Sequence, residues 1–243
     1  AVSMELGRKR QGILLAEKQL TEAARYLTGR YHIKRIELTG RLIFFNDQYY
    51  EKDAEQLIRR RAREILIKSK NNDMTEIVRM IEDTCTLITW ADIEESMHLK
   101  CMENGTYDIM EGTFRETFSP DHVILNMIPH RYDPRATFEA IDAKVSEIIS
   151  NDVDRESYYD SLSTALHPYP GIDFQFGGVG QPRTGKSQIC QLSIMVLGEE
   201  NVSASPIHLV ASDLTTQKDV AFNFLNIDMD MSSETIRNID VLK

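Results

Sequence analysis

Residues 180–187 read GQPRTGKS and match the pattern G-x-x-x-x-G-K-[ST] at every fixed position. A short strand pattern, Phe174–Phe176, precedes this stretch, and an apolar-periodic helix, Ser187–Leu197, follows it. Glycines let the backbone curl so that successive N–H groups point at phosphate oxygens, and the following helix presents its positive end to the same anion. The stretch therefore predicts a nucleotide-binding P-loop at the start of an α/β domain.

The polar groups of the predicted loop have expected roles in nucleotide binding. Lys186 is expected to bridge the β- and γ-phosphates of ATP, and the Ser187 hydroxyl is expected to ligate Mg²⁺. The residues predicted to bind nucleotide are Gly180, Gln181, Pro182, Arg183, Thr184, Gly185, Lys186, Ser187 and Gln188. The alternative, a glycine turn before an unrelated helix, is disfavoured by the strand and helix patterns on either side.

An apolar run downstream of the loop ends in two acids, Asp228 and Asp230. In a parallel α/β sheet, the end of such a strand lies at the same edge as the phosphate loop, so a carboxylate there can reach the magnesium ion. Asp228 follows the run directly, and Asp230 has the same side-chain parity if the strand continues. Both are predicted as catalytic and metal-binding candidates. The alternative is that they are solvated turn acids before a helix at Ser232–Leu242.

Composition narrows the class of protein. The chain has 243 residues, of which 42% are hydrophobic and 27% charged, the mixture of an ordinary globular protein. No apolar run approaches the ~20 residues that span a bilayer, so we expect no membrane association and a cytoplasmic location in a host cell. Cys85, Cys101 and Cys190 show no metal-ligand spacing and no disulfide pattern.

The net charge of −10 is unevenly distributed. Residues 1–70 hold 16 Lys and Arg against 9 Asp and Glu, whereas the rest of the chain holds 12 against 29. A basic end on an acidic protein suggests a module that faces an anion, with nucleic acid the obvious candidate. A solvated basic helix face explains the charge equally well.

The basic end contains a predicted helix from about Asp53 to Lys70 that carries Arg59, Arg60, Arg61 and Arg63. Arg59 and Arg63 share one face at a spacing of four residues, and we predict that they contact DNA phosphates. Ion pairs with Glu55 and Glu64 are the alternative.

Turn and composition signals divide the chain into three parts. Residues 1–98 are predicted to form a basic helical module with a small hairpin, and residues 99–168 a mixed strand and helix module. Residues 169–243 are predicted to form the first part of a P-loop ATPase domain that is incomplete at Lys243. The fold class is therefore an α+β, helical and mixed N-terminal module followed by the start of an α/β domain.

Three short motifs upstream of the loop resemble a known family. They are NGTYDI at residues 104–109, FSP at 118–120 and IPHRYDP at 128–134. In this order they resemble the signature of the poxvirus- and phage-type helicase N-terminal region, which precedes the ATPase in phage, plasmid and archaeal-virus primase-helicases. The run Leu225–Asp230 stands where that family has its metal acid, which Asp230 matches best and Asp228 nearly as well.

The resemblance implies a superfamily 3 helicase, an AAA+ ATPase that forms a ring, usually a hexamer, and moves along single-stranded DNA during replication. It also implies a primase domain in the same or a partner chain. Gly180, Gly185, Lys186 and Ser187 match the family's phosphate loop. The family's polar sensor and arginine finger would lie beyond Lys243, and no primase-like acidic cluster occurs at the start. We therefore expect a fragment that can itself be inactive.

Two other functions remain open at this point. One is a non-catalytic module that recruits DNA or a primase and in which the loop is incidental. The other is a P-loop small-molecule kinase, although such a kinase would usually begin with its loop. The ATP-driven motor accounts for the loop, the acid-ended strand and the basic module together.

Overall fold

The structure, a computed structural model, describes residues 18–66, 70–167 and 176–229. These residues form two compact units. The first unit contains the chain up to Ile93 together with Ser119–Leu125, and the second contains Glu94–Phe118 and the chain from Asn126 onward. The predicted boundary at residue 168 falls within the second unit, and the three-part domain division stays a prediction.

In its described residues, the first unit combines a four-stranded sheet with helices. Its helices are α1 (residues 18–30), α2 (Ala54–Ile65) and α3 (Asn71–Thr84), and its strands are β1 (Lys34–Ile36), β2 (Leu42–Phe45), β3 (Tyr50–Lys52) and β4 (Thr86–Ile88). The strand order is β3-β2-β1-β4. Strand β2 pairs antiparallel with both β1 and β3, as the predicted hairpin requires. Strand β4 pairs parallel with β1.

Helices α2 and α3 bury one face each against the sheet. Ile58, Ile77 and Ile81 are fully buried, and Leu27 and Met74 lie in the same cluster. The apolar positions recur at helical spacing in both helices, so each presents one stripe to the core. Full burial of side chains of this size contributes roughly 1.5–3 kcal/mol each. This cluster is the core that holds the first unit together.

The helix predicted from about Asp53 to Lys70 is shorter in the structure, where α2 ends at Ile65. Asp53 precedes α2 in a left-handed conformation with φ 65°, and its side chain does not cap the helix. Asn71–Asp73 form the first turn of α3. The Asp73 carboxylate accepts a hydrogen bond of 2.6 Å from the Lys70 N–H. An acid in the first turn satisfies an unpaired amide and the helix dipole. Residues 86–88 follow α3 as strand β4, which pairs with the edge of β1.

The segment Ser119–Leu125 packs against the first unit through its backbone. The Tyr50 hydroxyl donates to the Pro120 carbonyl at 2.7 Å, and the Tyr50 N–H donates to the Ile124 carbonyl at 2.8 Å. Lys34 Nζ donates to the same Pro120 oxygen and lies 4.7 Å above the centre of the Tyr50 ring. The FSP motif therefore ends in a carbonyl that two side chains of the first unit bind.

The second unit contains a second four-stranded sheet, a short parallel strand pair and several helices. The sheet strands are β5 (Leu99–Met102), β6 (Gly105–Asp108), β7 (Thr113–Arg115) and β8 (Met127–Ile128), in the order β7-β6-β5-β8. The parallel pair is β9 (Val202–Ser203) and β10 (Leu225–Asn226). The helices are α4 (Trp90–Glu95), within which the unit boundary falls, α5 (Glu139–Ile148), α6 (Asp152–Leu166), α7 (Lys186–Leu197), α8 (Ile207–Ser212) and α9 (Leu214–Val220).

The apolar run that the sequence analysis places before Asp228 forms a strand of only two residues in the structure. Helix α9, which the sequence analysis did not predict, extends to Val220, so the apolar run after it can pair only through Leu225 and Asn226. Most of the strand predicted at 174–176 and the helix predicted at 232–242 lie outside the described residues. The mixed helix and strand character predicted for the N-terminal part is confirmed. Among the described helices, none combines the length and apolarity that crossing a bilayer requires.

Candidate phosphate loop and the signature cluster

The loop of residues 180–187 closes around the ammonium group of Lys186. Lys186 Nζ donates to the carbonyl oxygens of Gly180 and Gln181, each at 2.8 Å. The Thr184 hydroxyl donates to the same Gln181 oxygen at 2.8 Å. Because a side chain at the start of α7 binds the start of the loop, the loop forms a compact ring before the helix begins.

Two left-handed residues give the loop its curvature. Arg183 has φ 66° and Gly185 has φ 91°, with Thr184 between them. Gly185 adopts this conformation without strain, whereas a residue with a Cβ pays a cost there. Left-handed residues next to right-handed ones are the backbone pattern of anion-binding turns in general.

The glycines also leave room for neighbouring side chains. A Cβ at position 180 would lie 3.2 Å from the Thr184 hydroxyl and 3.8 Å from Lys186 Cδ. A Cβ at position 185 would lie 2.8 Å from Cγ2 of Ile148, the last residue of α5. The residues present therefore fit a loop that holds phosphate on one side and packs against α5 on the other.

Helix α7 begins at Lys186, so the N–H groups of its first turn have no acceptor within the helix. The Gln188 N–H is engaged with the Gly185 carbonyl at 2.9 Å, which closes the first turn. Lys186, Ser187 and Gln188 are all exposed. Positive charge, an exposed hydroxyl and helix-start amides thus occur together, as binding of a nucleotide phosphate with Mg²⁺ requires.

The opposite end of α7 is bound by the motif at residues 128–134. A Cβ at Gly198, which has φ 93°, would lie 2.6 Å from Pro129 Cδ. His130 Nε2 lies 2.9 Å from the Met195 carbonyl oxygen. The buried Asn201 amide donates to the carbonyls of Leu197 and Met127, each at 2.7 Å. Helix α7 is therefore fixed to the strand β8 segment of the second unit.

Of the two predicted acids, the structure describes Asp228, and Asp230 lies outside the described residues. The Asp228 carboxylate accepts a hydrogen bond of 3.0 Å from the Ile207 N–H, the first residue of α8. Beside it, the Asn226 side chain exchanges two hydrogen bonds with the Ser205 backbone, each at 2.9 Å. Asp228 therefore stabilises the start of a helix, whatever further role it has.

The residues of two signature motifs form one cluster. The Asn104 side chain donates to the Tyr132 carbonyl at 3.1 Å and accepts from the Tyr132 N–H at 2.7 Å. The Tyr132 ring stacks on Phe114 with ring centres 4.6 Å apart and lies 5.1 Å from Tyr107. Gly105 is required because a Cβ there would overlap the Phe114 ring and the next strand. Residues of the NGTYDI motif thus contact Tyr132 of the IPHRYDP motif.

Asp108, the fifth residue of the first motif, has a structural role. Its Oδ1 accepts hydrogen bonds from the N–H groups of Met110 and Glu111, each at 3.0 Å. Its Oδ2 lies 3.7 Å from His98 Nε2. An aspartate that binds the amides two and three residues ahead fixes the turn between β6 and β7.

The predicted DNA-binding arginines pair within the first unit. Arg59 Nη2 lies 2.7 Å from Glu55 Oε1, and Arg59 Nη1 donates to the Thr75 hydroxyl at 3.3 Å. Arg63 Nη2 donates to Asn71 Oδ1 at 3.2 Å. Both guanidinium groups therefore connect α2 to α3. The ion pair with Glu55 was the alternative in the sequence analysis, and DNA contact by these residues stays a prediction.

Three further reactive groups of the second unit are Cys190, Cys101 and Lys100. Burial raises the pKa of the Cys190 thiol, and it raises the pKa of Cys101 to about 12, so both thiols stay protonated near neutral pH. Burial lowers the pKa of Lys100 to about 8; its ammonium donates to the Met97 carbonyl at 2.7 Å and lies over the Phe224 ring. In the part of the chain that the structure describes, no group of three His, Cys, Asp or Glu side chains could hold a metal ion.

Comparison with known proteins places these motifs in a family. A family model described as D5 N terminal like matches residues 21–150, which is more than half of the chain. The chain belongs to this family. The match includes all three signature motifs and Ile148, and it identifies an N-terminal region of the kind found in D5-like primase-helicases of phages and viruses. No curated protein matches the chain.

The contacts that join the motifs have no signal in the sequence. The Asn104–Tyr132 pair spans 28 positions, and nothing in the local pattern of either residue indicates the other. Ile148 has the sequence signal of any apolar residue at the end of a helix. Its contact with Gly185 becomes visible only when α5 and α7 are packed together.

Replacement of Asn104 by Ala should destabilise the second unit by about 2 kcal/mol, because it leaves two backbone groups of Tyr132 without their partner. The measurement is the free energy of unfolding in urea, followed by circular dichroism. Asn72→Ala, an exposed change in the first turn of α3, is the control and should stay within about 0.5 kcal/mol of the parent. Equal stability of the two variants would contradict the proposed role of the cluster.

Proposed function

We propose that this chain is part of an ATP-hydrolysing replicative DNA helicase of a phage, plasmid or virus, with a P-loop AAA+ motor that begins near residue 169. The observation that carries the proposal is the loop at 180–187. It matches the phosphate-loop pattern at every fixed position, closes on Lys186 and opens a helix. It follows an N-terminal region of the D5-like primase-helicase type.

The residues of the loop divide the work of nucleotide binding. The amides at the start of α7 and the Lys186 ammonium neutralise the phosphates, and the Ser187 hydroxyl holds the metal ion. Magnesium ATP supplies the phosphoryl group whose hydrolysis drives the motor. Phosphate binding requires Lys186 Nζ to exchange the Gly180 and Gln181 carbonyls for phosphate oxygens.

We assign the role of the metal-binding acid to Asp230. The Asp228 carboxylate already binds the first amide of α8, whereas Asp230 stands at the position that the family pattern favours. Parallel pairing of β9 with β10 supports this arrangement, because an α/β nucleotide-binding sheet is parallel and carries its acids at the ends of its strands.

The partners follow from the motor. Single-stranded DNA is the track, and other copies of this chain complete a ring, most simply a hexamer, in the cytoplasm of the host. A primase domain in the same or a partner chain makes use of the unwound strand. The three signature motifs lie in the D5-like region and form its internal contacts, so this region serves as the support that precedes the motor.

Lys186→Ala should abolish binding of magnesium ATP by this chain, because it removes the charge that pairs with the phosphates. Binding is measured by isothermal titration, and hydrolysis is measured in the intact helicase. The thermal midpoint should be unchanged, since Lys186 is exposed.

Lys218→Ala, which removes the same charge from α9, is the matched control and should bind ATP as the parent does. ATP binding by the Lys186 variant with the affinity of the parent would refute the phosphate-loop assignment.

Asp228→Asn and Asp230→Asn should separate the two acids in the intact helicase. Asp230→Asn should lower the rate of hydrolysis by at least tenfold while ATP still binds, because the loop amides and Lys186 hold the phosphates. Asp228→Asn should leave the rate within a few-fold, since asparagine also accepts a hydrogen bond from a helix-start amide. The reverse order of effects would assign the metal to Asp228.

Arg59→Gln with Arg63→Gln should weaken binding of single-stranded DNA irrespective of sequence and reduce its salt dependence by about 0.7 units of slope per lost contact. Fluorescence anisotropy across a range of salt concentrations measures both quantities. Arg60→Gln with Arg79→Gln changes the net charge equally in the same unit and is the control. If both pairs behave alike, the two arginines serve only to join α2 to α3, as their contacts with Glu55, Thr75 and Asn71 suggest.

A further inference from the structure

Ile148 packs against the phosphate loop at its most constrained residue. Gly185 has φ 91° and is the last residue before α7. A Cβ at this position would lie 2.8 Å from Ile148 Cγ2 and 3.2 Å from Ile148 Cγ1. Both γ carbons of the isoleucine therefore occupy the space that the glycine leaves free.

Helix α5 gives Ile148 a fixed support. Val145, one turn earlier, is fully buried, and its carbonyl accepts a hydrogen bond of 2.7 Å from the Ile149 N–H. The Asp142 carboxylate accepts a hydrogen bond of 2.8 Å from the Tyr159 hydroxyl and lies 3.4 Å from Arg155 Nε, which attaches α5 to α6. A branched side chain on such a helix end has few alternative rotamers.

We propose that Ile148 is a positioning residue for the phosphate loop. Its γ carbons limit the movement of the Gly185 backbone and thereby keep the helix-start amides and Lys186 in the arrangement that binds phosphate. Glycine is the most flexible residue, so a left-handed glycine without a neighbour would sample other conformations at a cost in affinity. Because Ile148 lies within the family match, the D5-like region supplies part of the nucleotide site.

This inference rests on the proposed function, and one set of variants separates the two. Ile148→Ala removes both γ carbons, and Ile148→Val keeps both and removes only the terminal methyl group. Ile141→Ala makes the same large change on the same helix at a position that is 42% exposed. Binding of magnesium ATP to the 243-residue chain is titrated for each, with Lys186→Ala as the reference for lost phosphate binding.

Ile148→Ala should raise the dissociation constant roughly tenfold, while Ile148→Val and Ile141→Ala stay within about twofold. Hydrogen exchange of the amides at residues 180–188, measured without nucleotide, should be faster in Ile148→Ala alone. This second measurement reports on the loop itself. A general loss of stability would accelerate exchange throughout the second unit and is therefore distinguished from a local effect.

The outcomes are distinct. Parent-like affinity and parent-like loop exchange in Ile148→Ala would overturn the positioning role while leaving the proposed function intact. Equal losses in the Ala and Val variants would also overturn it, since the γ carbons would then not be the cause. Failure of the parent chain to bind magnesium ATP would overturn the proposed function, and the inference with it.

Discussion

Helix α7 is held at both ends by side chains that occupy the space beside a glycine. Ile148 lies against Gly185 at the start of the helix, and Pro129 lies against Gly198 at its end. Both glycines have positive φ values, so neither position accepts a larger residue without strain and overlap. These two contacts fix the position of α7 in the second unit together with the His130 and Asn201 hydrogen bonds at its C-terminal end. Both contacting residues belong to the D5-like region.

Asparagine side chains supply hydrogen bonds where the short strands of the second unit end. Strands of two to four residues leave adjacent backbone groups unpaired, and buried groups of this kind must find partners. Asn104 pairs with both backbone groups of Tyr132, and Asn226 pairs with both of Ser205. Asn201 donates to the carbonyl of Leu197 at the end of α7 and to the carbonyl of Met127 in β8. Each side-chain amide thus supplies hydrogen bonds that a neighbouring strand residue would otherwise supply. The unit thereby keeps its strand ends fixed without long strands.

Charge in the first unit is used mostly for local contacts. The basic helix α2 directs Arg59 and Arg63 to α3, and Arg61 lies 2.8 Å from Glu64 on the same helix. Exposed pairs of this kind contribute roughly 0–1 kcal/mol each, so they orient the helices more than they stabilise them. An excess of basic residues in a sequence therefore does not by itself identify a nucleic-acid surface. Arg60 on the same helix is exposed.

The sequence alone determined the features that depend on local spacing. It located a small hairpin within residues 1–98, mixed strands and helices within residues 99–168, a helix after the glycine-containing stretch at 180–185 and the family motifs, because periodicity and glycine positions are local signals. The tertiary structure alone decided the parallel pairing of β4 with β1, the start of α3 at Asn71, and the shortness of β9 and β10. It also decided that Asn104 binds Tyr132 and that Ile148 supports Gly185. These contacts join residues far apart in the chain, and their energy depends on shape and on unpaired backbone groups that exist only after the elements pack.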